Sequence, residues 1–199
     1  MNSKQKRWLL AGVSLFVLLG LYLFQNLATP VRVMGFLFGL FVFYIVDEMF
    51  KIKFKLIHYY EIMIILAFGI LFSALYGMYP IYDKILHFLL PILGCFLMFH
   101  IVNKQKLSFQ WKMWITFLFI TTFLAFHEIG EYLIDLLWDM KLQGVYVHNI
   151  ENYAKLNITM SKIDDTMIDL ILGVLGSIIF IIGKTIKYIY TKSFGKKKS

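Results

Sequence analysis

Apolar residues run along this chain in long blocks separated by short polar breaks, without sustained alternation. A spanning helix needs about 20 mostly apolar residues, whereas a spanning strand shows period-two patterning. Six blocks meet or approach the helical length: Trp8–Leu27, Val31–Val46, Ile57–Tyr76, Ile81–Val102, Trp111–Trp138 and Asp164–Ile186. The second is short and can extend through Phe50. The fifth is long enough to tilt or to project from the bilayer. The pattern predicts an all-α, polytopic integral membrane protein with about six transmembrane helices, forming a single domain over residues 1–199.

Composition agrees with this reading. Hydrophobic residues make up 60% of the 199-residue chain and aromatic residues 18%, and the mean hydropathy is +0.73. That is well above a soluble domain. Lys4, Lys6 and Arg7 resemble the start of a signal peptide, but the apolar stretch behind them is too long, so it is read as a retained first helix. Cys95 is the single cysteine, which excludes an internal disulfide and suits a small buried apolar side chain.

The net charge of +8 first suggests nucleic acid. Its distribution excludes that partner. Fifteen of the 20 Lys and Arg residues fall before the first block, between the second and third, between the fourth and fifth, and at or after the end of the sixth. The other five are Arg32, Lys84, Lys141, Lys155 and Lys162. By the positive-inside rule both termini are cytoplasmic, residues 187–199 form a basic cytoplasmic tail, and residues 139–163 form an extracytoplasmic loop. The lysines then serve as topology signals and contacts to membrane lipids. The long loop is either a lid over an outer site or an ordinary connection with a short helix. Trp8, Trp111, Trp114 and Trp138 suit interfacial anchoring.

Candidate chemistry begins at Phe123–Asp139, "FLAFHEIGEYLIDLLWD". At 100° per residue, His127, Glu128, Glu131 and Asp135 form one polar stripe, and the topology puts it near the outer surface. Asp83 and His87 reach the same depth one turn apart in the fourth block, and Asp165 and Asp169 do so in the sixth. Gly173 and Gly176 continue roughly along the face of the last pair, and small residues favour close helix approach. Carboxylates gathered there repel one another and need a cation, shared protons, basic partners or water. Lys84 is the only lysine immediately beside them. A divalent metal held by Asp83, His87, Glu128, Glu131, Asp165 and Asp169 answers this need, with Glu128 or Glu131 also available as a catalytic base. Protonated carboxylates are the second solution. Mixed Asp, Glu and His donors fit zinc, manganese or iron, and the oxygen-rich set also fits magnesium or calcium.

Each residue has a simpler reading. Asp83 can cap its helix, His87 and His127 can be packing residues, Asp135 and Asp139 can face solvent, and Asp164 reads as an N-cap. His148, in the long loop, can join a metal only if the loop brings it near. On the inner side, Asp47, Glu48, His58 and Glu61 are read as local salt-bridge partners of Lys51, Lys53 and Lys55.

"YDKILHF", "HEIGEY" and "DDTMIDLILGVLGS" together resemble the bacterial inner-membrane family typified by YjdF, a family of unknown function. Asp83, Lys84, His87 and Phe88 match its first element, Glu128 and Glu131 its second, and Asp165, Asp169 and the glycines its third. Tyr132, Asp164 and Ile168 depart from residues found in some members. The resemblance covers roughly the last two-thirds of the chain, and implies a multi-pass protein of the bacterial cytoplasmic (inner) membrane and no reaction.

Three functional expectations follow. The first is a metal-dependent hydrolase or transferase acting on a lipid, small-molecule or envelope substrate. The second is a proton- or cation-coupled transporter, for which the acids lie unusually close to one surface. The third is a non-catalytic structural or regulatory subunit.

Overall fold

The computed structural model describes residues 3–23, 29–138, 141–148 and 156–195. Asp139 and residues 196–199 of the basic tail lie outside the described residues, as does the side chain of His148. The described residues form α1 (Ser3–Leu23), α2 (Thr29–Phe50), α3 (Leu56–Leu66), α4 (Tyr82–Val102), α5 (Phe109–Trp138), strands β1 (Val145–His148) and β2 (Leu156–Met160), and α6 (Lys162–Gly195). Among the described residues, four helices are long and apolar enough to cross a membrane: α2, α4, α5, and α6 over Lys162–Ser193. The apolar stretches Ala11–Leu23 and Leu56–Leu71 are shorter.

The chain divides into two compact units, Met1–Tyr82 and Asp83–Ser199. In the first, Phe36, Met63, Ala67, Leu71 and Phe72 form a buried core, covered by Leu9, Val13, Phe16, Val17 and their neighbours. The third apolar block, expected as one continuous span, is not one helix. After Leu66 the helix widens over Ala67–Leu71, where the Phe72 amide reaches back five residues to the Ala67 carbonyl at 2.8 Å. It then tightens into a short 3₁₀ turn at Ser73–Leu75. The Tyr82 hydroxyl donates to the Phe68 carbonyl at 2.8 Å, satisfying an acceptor inside this irregular stretch.

The α2–α3 turn also departs from expectation. Asp47 is buried and accepts hydrogen bonds from the Phe54 amide at 3.1 Å and the Tyr59 hydroxyl at 2.7 Å. The His58 Nδ1 accepts from the Lys55 amide at 3.2 Å. Asp47 is therefore not the surface salt-bridge partner expected; its buried carboxylate takes up backbone and hydroxyl donors that would otherwise be unsatisfied.

The second unit packs α4, α5 and α6 around Cys95, Met113, Ile120, Leu124 and Phe180. Cys95 is a fully buried free thiol. The small-residue face of α6 meets α4 at close range, because a Cβ on Gly176 would stand 2.3 Å from the Phe88 carbonyl oxygen. Ser177, also buried there, returns its hydroxyl proton to the Gly173 carbonyl at 3.0 Å. With 34 residues, α6 is about 51 Å long, well beyond a hydrocarbon core of about 30 Å. It absorbs residues 187–195 of the expected tail into the helix.

Between α5 and α6, the described residues include an antiparallel pair of strands, β1 and β2. Val145 pairs with Met160 and Tyr146 with Ile158, with a bulge between the two pairs. Gly144 precedes the hairpin at φ +86, a left-handed conformation that suits glycine.

Candidate functional site

α4, α5 and α6 bring Asp83, Lys84, His87, His127, Glu128, Glu131, Asp165 and Asp169 into one polar layer of the second unit. Asp83 and Lys84 lie in the first turn of α4, with His87 one turn on. His127, Glu128 and Glu131 occupy the second half of α5. Asp165 and Asp169 sit one turn apart at the start of α6. The helical spacing read from sequence accounts for each pair. Its meeting across three helices is a property of the packing.

The layer has two halves. Lys84 centres the first. Its Nζ lies 3.0 Å from Asp83 Oδ2, 2.8 Å from Asp169 Oδ1 and 2.7 Å from Asp169 Oδ2, and it also contacts Asp165 Oδ1. The Asp165 and Asp169 side chains are only 3% and 1% exposed. From the sequence Lys84 is the nearby lysine and not one of the expected site residues. Its position immediately beside Asp83 was the available signal; its reach to α6 was not.

The second half holds His87, His127, Glu128 and Glu131. Glu128 Oε1 faces His87 Nδ1 at 3.6 Å and His127 Nδ1 at 3.8 Å. Glu128 is 4% exposed, and neither carboxylate oxygen has a hydrogen-bond partner among the described residues. Glu131 Oε1 is 3.8 Å from His127 Nδ1. His127 is half exposed at the rim, with its ring edge-on to His87 at 5.5 Å between centroids. His87 joins the halves, because its Nε2 stands 3.5 Å from Asp83 Oδ1.

Two triplets have donor atoms within 4.8 Å of one another: His87, His127 and Glu128; and Asp83, His87 and Asp169. Among the described residues the six expected metal ligands therefore share a layer, but not one compact donor group. Lys84 already occupies the aspartate half, and Glu131 and Asp165 lie outside both triplets.

The neighbouring acids have structural duties. Asp135, read as part of a solvated face, is buried. It accepts the Leu142 amide at 2.7 Å, the Gln143 amide at 3.2 Å and the Lys162 ammonium at 2.9 Å. Asp165 Oδ2 accepts the Gly144 amide at 2.7 Å, and Gln143 Nε2 donates to the Thr166 hydroxyl at 3.0 Å. These bonds tie the start of the hairpin to α5 and α6. Asp164 is not the cap it was expected to be. The Ser161 hydroxyl accepts the Asp164 amide at 3.2 Å and donates to Asp164 Oδ2 at 2.6 Å, so Ser161 caps α6 and Asp164 supports it from the first turn.

Long apolar helices around a buried polar layer define a polytopic helical membrane protein. The chain matches the family described as "Predicted membrane protein (DUF2238)" over residues 6–188, and belongs to that family. This agrees with the YjdF-type resemblance carried by the three motifs. No curated protein and no solved structure matches the chain.

Proposed function

We propose that this protein is an integral membrane enzyme that binds one divalent metal ion through His87, His127 and Glu128. The ion would serve hydrolysis or group transfer on a lipid or other envelope substrate. The observation that carries the reading is Glu128: a carboxylate 4% exposed, with neither oxygen hydrogen-bonded among the described residues and an imidazole nitrogen of His87 and of His127 within 3.8 Å. An ionised carboxylate buried without a partner is strongly unfavourable, and a cation removes that cost.

The dimensions support the reading. Bonds of about 2.0–2.2 Å in a tetrahedral site separate ligand atoms by roughly 3.3–3.5 Å. The contacts of 3.6 and 3.8 Å need only a few tenths of an ångström of closure. Two imidazoles and one carboxylate suit zinc, manganese or ferrous iron, and leave a position for water or substrate. The metal would activate that water or polarise the substrate. Glu131, less buried and beside His127, would take the proton.

Zinc is the direct probe. Detergent-purified protein, stripped with chelator and reloaded, is expected to bind one zinc per chain. Glu128→Gln, which keeps size and loses charge, is expected to lower zinc affinity at least tenfold while helicity is unchanged. A wild-type protein that takes up no zinc, or a Glu128→Gln protein that binds it equally well, would overturn the metal assignment. Turnover of an envelope lipid in detergent supports the enzyme reading; flux across sealed vesicles without turnover replaces it with a carrier.

A further inference from the structure

Lys84 is surrounded as a metal ion would be. Four carboxylate oxygens from Asp83, Asp165 and Asp169 approach its Nζ, two of them from Asp169 alone. An ammonium has three protons, so the oxygens outnumber the donors. Bidentate and monodentate carboxylates converging on one point are the usual means of holding a hard divalent cation such as calcium.

The outer oxygens are engaged from behind. Asp165 Oδ2 takes the Gly144 amide, and Asp83 Oδ1 faces His87 Nε2. Supporting contacts of this kind orient metal ligands. The aspartate half has its own donor triplet, because atoms of Asp83, His87 and Asp169 lie within 4.8 Å of one another, a spacing one cation can bridge.

We propose that the aspartate half is a second, oxygen-lined cation position, which the chain fills with its own Lys84, so that the layer takes one exchangeable metal ion and not two. The tether makes this ammonium permanent. It neutralises Asp165 whatever the metal supply, and so keeps the Gly144 end of the hairpin in place. The inference rests on the metal reading above only for the histidine–glutamate half.

Two probes separate the halves. Zinc reports on His87, His127 and Glu128; radioactive calcium reports on the aspartates. Wild-type protein is expected to bind one zinc and no calcium. Lys84→Met is expected to gain one calcium per chain, and to lose it again when Asp169→Asn is added. Should Lys84→Met be poorly stable, millimolar calcium is expected to raise its melting temperature by several degrees and leave that of the wild type unchanged. Absence of both calcium binding and calcium stabilisation in Lys84→Met overturns the inference, as does wild-type protein that binds two divalent ions. Failure of the wild type to bind zinc overturns only the metal reading of the other half.

Discussion

Asp135 and Glu128 lie two turns apart on one helix and differ in how their charge is met. Asp135 has three donors, two of them backbone amides of the following loop. Glu128 has none among the described residues. A fully bonded carboxylate holds structure together, whereas an orphaned buried one is held in place by its surroundings and remains available to a ligand. Asp135→Ala is therefore expected to free the Leu142 and Gln143 amides at a cost of about 1–3 kcal/mol, while leaving the zinc affinity of the layer within threefold. Hydrogen–deuterium exchange over residues 141–145 measures the first effect. Unchanged protection there would show that Asp135 does not anchor the loop. Helical spacing placed both carboxylates on one stripe, but could not tell them apart, because the donors come from a loop with no fixed spacing to α5.

At the scale of the element, the polar layer depends on how closely α4 and α6 approach. Gly176 has no room for a Cβ, since the obstructing atom is a backbone oxygen that cannot turn aside. Gly183, about two turns further along α6, has nothing within 4 Å of the same position. Gly176→Ala is expected to destabilise the protein by about 1–3 kcal/mol through helix separation, and to weaken the Lys84 contacts to Asp165 and Asp169. Gly183→Ala is expected to be neutral or slightly stabilising, as alanine is the better helix former. Thermal unfolding in detergent compares the two, and equal melting temperatures would reject the close-approach argument. The small-residue face was legible as a contact face from its spacing. Which glycine is indispensable was not, because that depends on where the partner's backbone passes.

For the molecule as a whole, the placement of the basic residues predicts an orientation. Fifteen Lys and Arg on one side against five on the other predict cytoplasmic termini and an external 139–163 loop. Single cysteines introduced at Lys53 and at Asn157, with the buried Cys95 replaced by serine, test this. In intact cells an impermeant maleimide is expected to label position 157 and not position 53. Labelling of position 53 from outside would reverse the assignment. The irregular stretch after Leu66 shows what patterning alone does not resolve. A continuous apolar block looks like one helix, yet this one changes winding at Ala67 and again at Ser73. Apolar composition reports that a segment avoids water; winding is set by local hydrogen bonds and by side chains such as Tyr82 that claim a particular carbonyl.

By itself the sequence determined that the chain is helical and membrane-embedded, where most of its helices lie, and which acids and histidines share a helix face. Those properties follow from apolar length, helical period and charge placement, all of which are local. Only the tertiary structure decided how the acids are matched: Asp83, Asp165 and Asp169 to Lys84, Asp135 to the hairpin, and Glu128 to two imidazoles without a hydrogen bond. A buried charge is stabilised by whatever lies within a few ångströms of it, and in this chain those neighbours come from helices and loops far apart in sequence.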